Sequence, residues 1–74
     1  MHFNQWKQER VSINPMVMGG APVIAGSRLT IKTVAITAAN GYSHELVEDN
    51  PELQLTTEDF NYAQEYCKYA SPIG

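Results

Sequence analysis

The chain is poor in the features that would mark an enzyme, a metalloprotein or a membrane protein. It has one cysteine, Cys67, which excludes a disulfide within the chain. Its two histidines, His2 and His44, share no metal-ligand spacing with Cys67 or with each other, so no metal and no cofactor is expected. No apolar run approaches the ~18 residues of a membrane-spanning helix. The first ten residues are polar and lack the apolar core of a signal peptide. No membrane partner is therefore expected, and the cytoplasm is the expected location. There is no internal repeat and no low-complexity tract. No nucleophile–base pair can be assembled from sequence: Cys67 has no nearby histidine and lies on the apolar face of a helix, where a small buried hydrophobe is the simpler reading. The expectation is a protein that is not an enzyme.

What is present is a short chain of 74 residues, 43% hydrophobic and 18% charged. That length fits one domain. A domain of this size buries only about 60% of the surface of its unfolded chain and is marginal alone. With disulfides and metals excluded, the remaining source of stability is a partner chain, and a homodimer is expected.

The formal net charge of −3 conceals a polarity. Residues 1–40 carry Lys7, Arg10, Arg28 and Lys32 against Glu9, a net of +3. Residues 41–74 carry Glu45, Glu48, Asp49, Glu52, Glu58, Asp59 and Glu65 against Lys68, a net of −6. Such asymmetry points to two surfaces with different partners, or simply to a solvated acidic face. Nucleic-acid binding would have to come from the first half, since phosphate neutralisation supplies most non-specific affinity.

Local pattern divides the chain into a polar arm at 1–10, a strand and β-hairpin at 11–29, and three helices at 30–70. Val11-Ser12-Ile13 alternates as a short strand does, and Asn14-Pro15 stops it. Gly19-Gly20-Ala21-Pro22 is a structural turn. Val23-Ile24 and Arg28-Leu29 flank Ala25-Gly26-Ser27 as a tight hairpin, with Gly26 free to take a positive φ. Ile31, Val34, Ala35 and Ala38 make one helical face, and Asn40-Gly41 a C-cap. Ser43 is a good N-cap for a helix that Asn50-Pro51 closes. Thr56 and Asp59 resemble a capping box opening a last helix to about Tyr69. On that helix Phe60, Ala63 and Cys67 share one face, and Tyr62, Tyr66 and Tyr69 form an adjacent stripe. The fold class read from this is mainly α: a short N-terminal strand and hairpin, then a three-helix, helix-turn-helix-like bundle. The last helix makes a poor groove reader, because Glu58 and Asp59 in its first turn repel phosphate.

The stretch Ile13-Asn14-Pro15, with Met18-Gly19-Gly20-Ala21-Pro22-Val23-Ile24-Ala25-Gly26-Ser27-Arg28-Leu29, resembles the signature of a small bacterial and archaeal family, DUF433. Gly41-Tyr42-Ser43, Glu48-Asp49-Asn50-Pro51 and Leu55-Thr56-Thr57-Glu58-Asp59 match its later part, so the resemblance spans about residues 6–70. It implies a helix-turn-helix fold. It also implies the role of a VapB-type antitoxin, which binds a cognate PIN-like ribonuclease toxin and can bind its own promoter DNA. Four positions depart from the signature: Ala21 replaces lysine, Ala25 arginine, Thr30 proline and Ser27 threonine. The family brings no catalytic residues.

The candidate sites follow. Arg10, Arg28 and Lys32 are the DNA-contact candidates. Arg28 could equally be an internal tie to the carbonyls of the Gly19–Pro22 loop or to an acid of the second helix. Trp6, Met16, Met18, Tyr62, Tyr66 and Tyr69 exceed what one three-helix core requires, and part of this set is expected in a dimer or partner interface. Gly19, Gly20, Pro22 and Gly26 are assigned to structural turns. The leading function is a toxin-neutralising antitoxin; the alternative is a stand-alone dimeric DNA-binding regulator.

Overall fold

A computed structural model describes residues 2–70, the side chains of residues 69 and 70 excepted. The described residues form four α-helices and one two-stranded antiparallel hairpin, in the order α1 (Phe3–Arg10), β1 (Val11–Ser12), β2 (Val23–Ile24), α2 (Ile31–Ala39), α3 (Ser43–Asp49) and α4 (Thr57–Ala70).

The first correction lies at the N-terminus. Residues 1–10, expected as a polar arm, hold the helix α1, so the expected three helices become four. Its sequence is polar, and no residue caps it through a side chain. What forms it is one stripe, in which Phe3, Trp6 and Arg10 stand at i, i+3 and i+7 and face α4. Trp6 is 1% exposed and belongs to the core. It is therefore not the interface residue that its sequence context suggests. Its ring sits 6.2 Å from Phe3 and 5.6 Å from Tyr62, centre to centre.

The strand Val11–Ser12 pairs within the chain, with Val11 opposite Ile24 and Ser12 opposite Val23. The expected tight turn at Ala25–Gly26 is present. Ile24 N–H donates to Leu29 O at 2.8 Å, and Gly26 takes φ +80°. Ser27 fastens it, donating through Oγ to Ile24 O and accepting from Leu29 N–H. A bridge between Val23 and Thr30 then delivers the chain into α2.

The Ile31–Ala38 segment is helical, as its spacing predicts, with Ile31, Val34 and Ala35 buried. Thr30 caps it, its Oγ1 accepting from Thr33 N–H at 3.1 Å. At the other end Gly41 turns left-handed at φ +81°, letting Gly41 N–H reach Ala38 O and Tyr42 N–H reach Thr37 O. This double bond pattern is a Schellman stop. Helix α3 begins at Ser43 with Tyr42, not Ser43, at the cap position. It ends at Asn50-Pro51 as expected, Asn50 Nδ2 donating back to Leu46 O. The main packing is α2 on α4. The core joins Trp6, Ile24, Ile31, Val34, Ala35, Leu55, Phe60 and Ala63.

Trp6 is the largest side chain in so small a core. Trp6→Ala should destabilise the fold by about 3–5 kcal/mol, a large part of the stability of a marginal domain. A urea melt followed by circular dichroism should show the midpoint collapsing toward zero denaturant.

Candidate functional site

The charged groups are best followed from the inside outward. Asp59, at the third position of α4, is 3% exposed. Its Oδ1 accepts from Trp6 Nε1 at 2.8 Å and from Arg10 Nε at 3.1 Å. Its Oδ2 accepts from Arg10 Nη2 at 3.1 Å and from Thr56 N–H at 2.9 Å. Arg10 Nη2 also donates to Leu53 O at 2.9 Å. The capping box read from Thr56 and Asp59 is thus real, and the same carboxylate receives a bidentate guanidinium from another helix. Burial raises the pKa of Asp59 most strongly. The hydrogen bonds from Arg10, Trp6 and Thr56 and the charge of Arg10 together outweigh it and hold the carboxyl below its ordinary value.

This corrects two expectations. Arg10 is committed through Nε and Nη2 to Asp59 and Leu53, with 28% of its side chain exposed, so less of its fork is left for a DNA contact than the sequence suggests. Asp59 is not an exposed repellent at the start of α4; of the two acids, only Glu58 is exposed. The sequence does hold a trace of the link: Arg10 lies on the same stripe as Phe3 and Trp6.

The other candidate bases lie outside. Arg28 is exposed on the turn after β2 and makes no hydrogen bond or ion pair among the described residues, so the internal tie to the Gly19–Pro22 loop does not form. Lys32 is exposed in the first turn of α2. It borders an apolar cleft of about 380 Å³ lined also by Pro22, Ile31, Tyr66 and Cys67. Burial pushes the Cys67 thiol up, with Lys32 opposing it only in part, so the thiol stays protonated and is no activated nucleophile. Burial also raises the Tyr66 hydroxyl, as does the neighbouring Cys67. Among the described residues no group of three or more His, Cys, Asp or Glu could hold a metal ion. No helix there is long and apolar enough to cross a membrane.

The aromatic set divides. Tyr62 is half-buried against Phe3 and Trp6, and Tyr66 is half-buried at the cleft. The side chain of Tyr69 lies outside the described residues. Met16 and Met18 are on the surface, 87% and 53% exposed. They sit on a loop that Asn14 fastens, its Oδ1 accepting from Met16 N–H and its carbonyl from Val17 N–H. Met18, Gly19 and Gly20 follow with φ +49°, +66° and +90°. A left-handed methionine costs about 1–2 kcal/mol. Met18 carries that cost while 53% exposed.

Two further exposed apolar groups, Ile36 and Tyr42, escape sequence reasoning. Ile36 stands off the buried stripe of α2, and Tyr42 is set outward just after the Schellman stop. They flank a hollow of about 370 Å³ with Leu46, Glu45 and Asp49. Glu45 and Asp49 line it, and Glu48 and Glu52 are also exposed on α3 and the turn after it, whereas the exposed Glu58 lies by Arg10 and Asp59 at the start of α4.

Comparison with known proteins bears on this arrangement at the level of family. The family described as protein of unknown function (DUF433) matches residues 11–67. The chain is similar to a DUF433 member protein of known crystal structure from Anabaena variabilis, at 29% identity and a TM-score of 0.65. The match covers 92% of this chain and 66% of that one, so the chain spans slightly less than two thirds of its relative. No curated protein matches.

The Asp59 cluster generates a pH prediction. Its folded-state pKa is depressed, so its stabilisation is present above the unfolded carboxyl value of about 3.9 and is lost as pH falls through the folded value. Asp59→Asn should cost about 2 kcal/mol at pH 7 by weakening the bonds from Arg10 and Trp6. The gap between wild type and variant in urea melts should close as pH drops below about 4. A gap that persists unchanged at low pH would show that this carboxylate is not the titrating group.

Proposed function

We propose that this chain, which belongs to the DUF433 family, is a non-enzymatic interaction protein of the antitoxin type. In that role it works in the cytoplasm as a homodimer and neutralises a PIN-like ribonuclease by covering its RNA-binding surface. The observation that carries this reading is the set of exposed acids Glu45, Glu48, Asp49 and Glu52 on α3 and the turn after it, with the exposed Ile36 and Tyr42 beside Glu45 and Asp49. A ribonuclease must present a basic rim to hold RNA, and an acidic face with apolar groups within it complements such a rim in charge and in desolvation. The family resemblance supplies the class of partner.

The alternative is a stand-alone dimeric DNA-binding regulator, with α3 and α4 as a helix-turn-helix pair. It draws on the exposed Arg28 and Lys32. It is weakened by the engagement of the half-buried Arg10 with Asp59 and by alanine at positions 21 and 25, where the family signature has basic residues. The two bases left exposed in the first half of the chain neutralise few phosphates.

The neighbouring reading frame in the source genome should encode a PIN-like protein. Its RNA cleavage should be suppressed by an equimolar amount of this chain. Glu48→Lys with Glu52→Lys should weaken the complex by about tenfold or more at low salt and by less at high salt. Cleavage that proceeds unchanged in the presence of the chain would end the antitoxin reading. A gel shift of the promoter fragment at two salt concentrations tests the regulator, which fails if no shift occurs at low salt.

A further inference from the structure

Between the start of α2 and the second half of α4 lies the apolar cleft of about 380 Å³ that Lys32 borders. Three segments wall it. Ala21 and Pro22 come from the loop before β2, Ile31 and Lys32 from the first turn of α2, and Tyr66 and Cys67 from α4. Two of the walls are tied together: Ile31 N–H donates to Pro22 O at 2.9 Å, next to the bridge between Val23 and Thr30. Small-molecule sites enclose about 300–1,000 Å³ and have mostly apolar walls with a few polar groups, and this cleft has both properties. It shares no lining residue with the acidic hollow beside α3, so it stands apart from the surface assigned to a protein partner.

The polar groups of the cleft select the sign of a ligand. Lys32 is its one charged lining residue, and no carboxylate lines it. Among the described residues neither the Lys32 ammonium nor the Tyr66 hydroxyl has a hydrogen bond or an ion pair. The hydroxyl of Thr30 is already engaged, with Thr33 in the cap of α2. Burial raises the pKa of Tyr66 and of Cys67, so both keep their protons at neutral pH. The phenol is then a donor, and the thiol behaves as a small apolar group. An ammonium and a phenol beside an apolar wall match an anionic head on an apolar body. With one positive charge and two side-chain donors, the match is to a singly charged head with two oxygens.

We propose that this cleft binds a small monocarboxylate with an aliphatic or aromatic body. The body lies against Pro22, Ile31 and Cys67, and the carboxylate accepts from the Lys32 ammonium and the Tyr66 hydroxyl. Removing the body from water supplies the attraction, and Lys32 selects acids over neutral molecules of the same shape. This site does not depend on the antitoxin reading, and either can fail alone.

The test titrates the full chain with sodium octanoate, and separately with octanol as a neutral probe of the same length. Binding is followed by amide nitrogen–proton correlation spectra. Cys67 is the chain's one cysteine, so its rate of alkylation by iodoacetamide gives a second readout without any substitution. Octanoate should produce saturable shifts centred on Ile31, Lys32, Tyr66 and Cys67, and alkylation should slow in step with occupancy. Octanol should bind about tenfold or more weakly than octanoate, because its head carries no charge. Lys32 is exposed, so its replacement leaves the core untouched, and circular dichroism confirms that each variant is folded. Lys32→Glu should weaken octanoate by about tenfold or more and leave octanol unchanged, while Lys32→Arg should bind octanoate nearly as wild type does. Tyr66→Phe, which keeps the ring, should weaken octanoate by about threefold or more. No saturable shift, or shifts centred on the exposed Met16 and Met18, would overturn the site. Equal affinity for octanoate and octanol, or octanoate binding indifferent to Lys32→Glu, would overturn the carboxylate as its ligand.

Discussion

One carboxylate holds the first and last helices of the fold together. Asp59 caps α4 from inside its first turn and accepts the Trp6 indole and the Arg10 guanidinium from α1. A charge buried to 3% exposure is tolerable only because both oxygens are met by donors, and because the donor that carries charge is a planar fork. Among the described residues no buried side-chain nitrogen or oxygen lacks a partner. The remaining architecture depends on this join. α1 is too short and too polar to persist alone, and it is Trp6 against Asp59, Phe60 and Tyr62 that makes it a helix. Since α1 runs straight into β1, the same join sets where the hairpin lies. Arg10 O accepts from Ala25 N–H at 2.7 Å as the strands begin.

The sequence displays the parts of this fold that are local. Ile31, Val34 and Ala35 announce their buried face by spacing alone. Thr56 and Asp59 announce a helix start, and Asn40-Gly41 and Asn50-Pro51 announce two helix ends. Each of these signals is complete within a few residues, so no distant partner is needed to read it. α1 is hidden for the opposite reason. Its stripe has only Phe3 and Trp6 as apolar members, and its third member is an arginine whose partner lies 49 positions away. Without that partner Trp6 looks like a surplus aromatic and Arg10 like a surface base. The recess at Ile36 and Tyr42 is hidden because exposure, unlike burial, leaves no periodic trace.

The interior ion pair also reshapes the surface. The first half of the chain has four bases in sequence, but Arg10 is half-buried and paired with Asp59, and Lys7 lies half-buried over the Phe3 ring. Arg28 and Lys32 remain exposed. The second half loses one acid, Asp59, to the same pair and keeps its others outside or half-exposed. The polarity read from sequence therefore survives folding in its acidic part and is reduced in its basic part. That difference is the physical ground on which a protein partner is proposed ahead of nucleic acid.

The bonds to Asp59 span 49 and 53 residues of a 74-residue chain. Helical domains usually fold from near-neighbour contacts and close quickly. Here the decisive contacts are long-range, and α4, which provides one wall of the core, leaves the ribosome after every other element of the domain. During synthesis the first helix and the hairpin must wait without their partners. The core can therefore close around Trp6 only once α4 has been made.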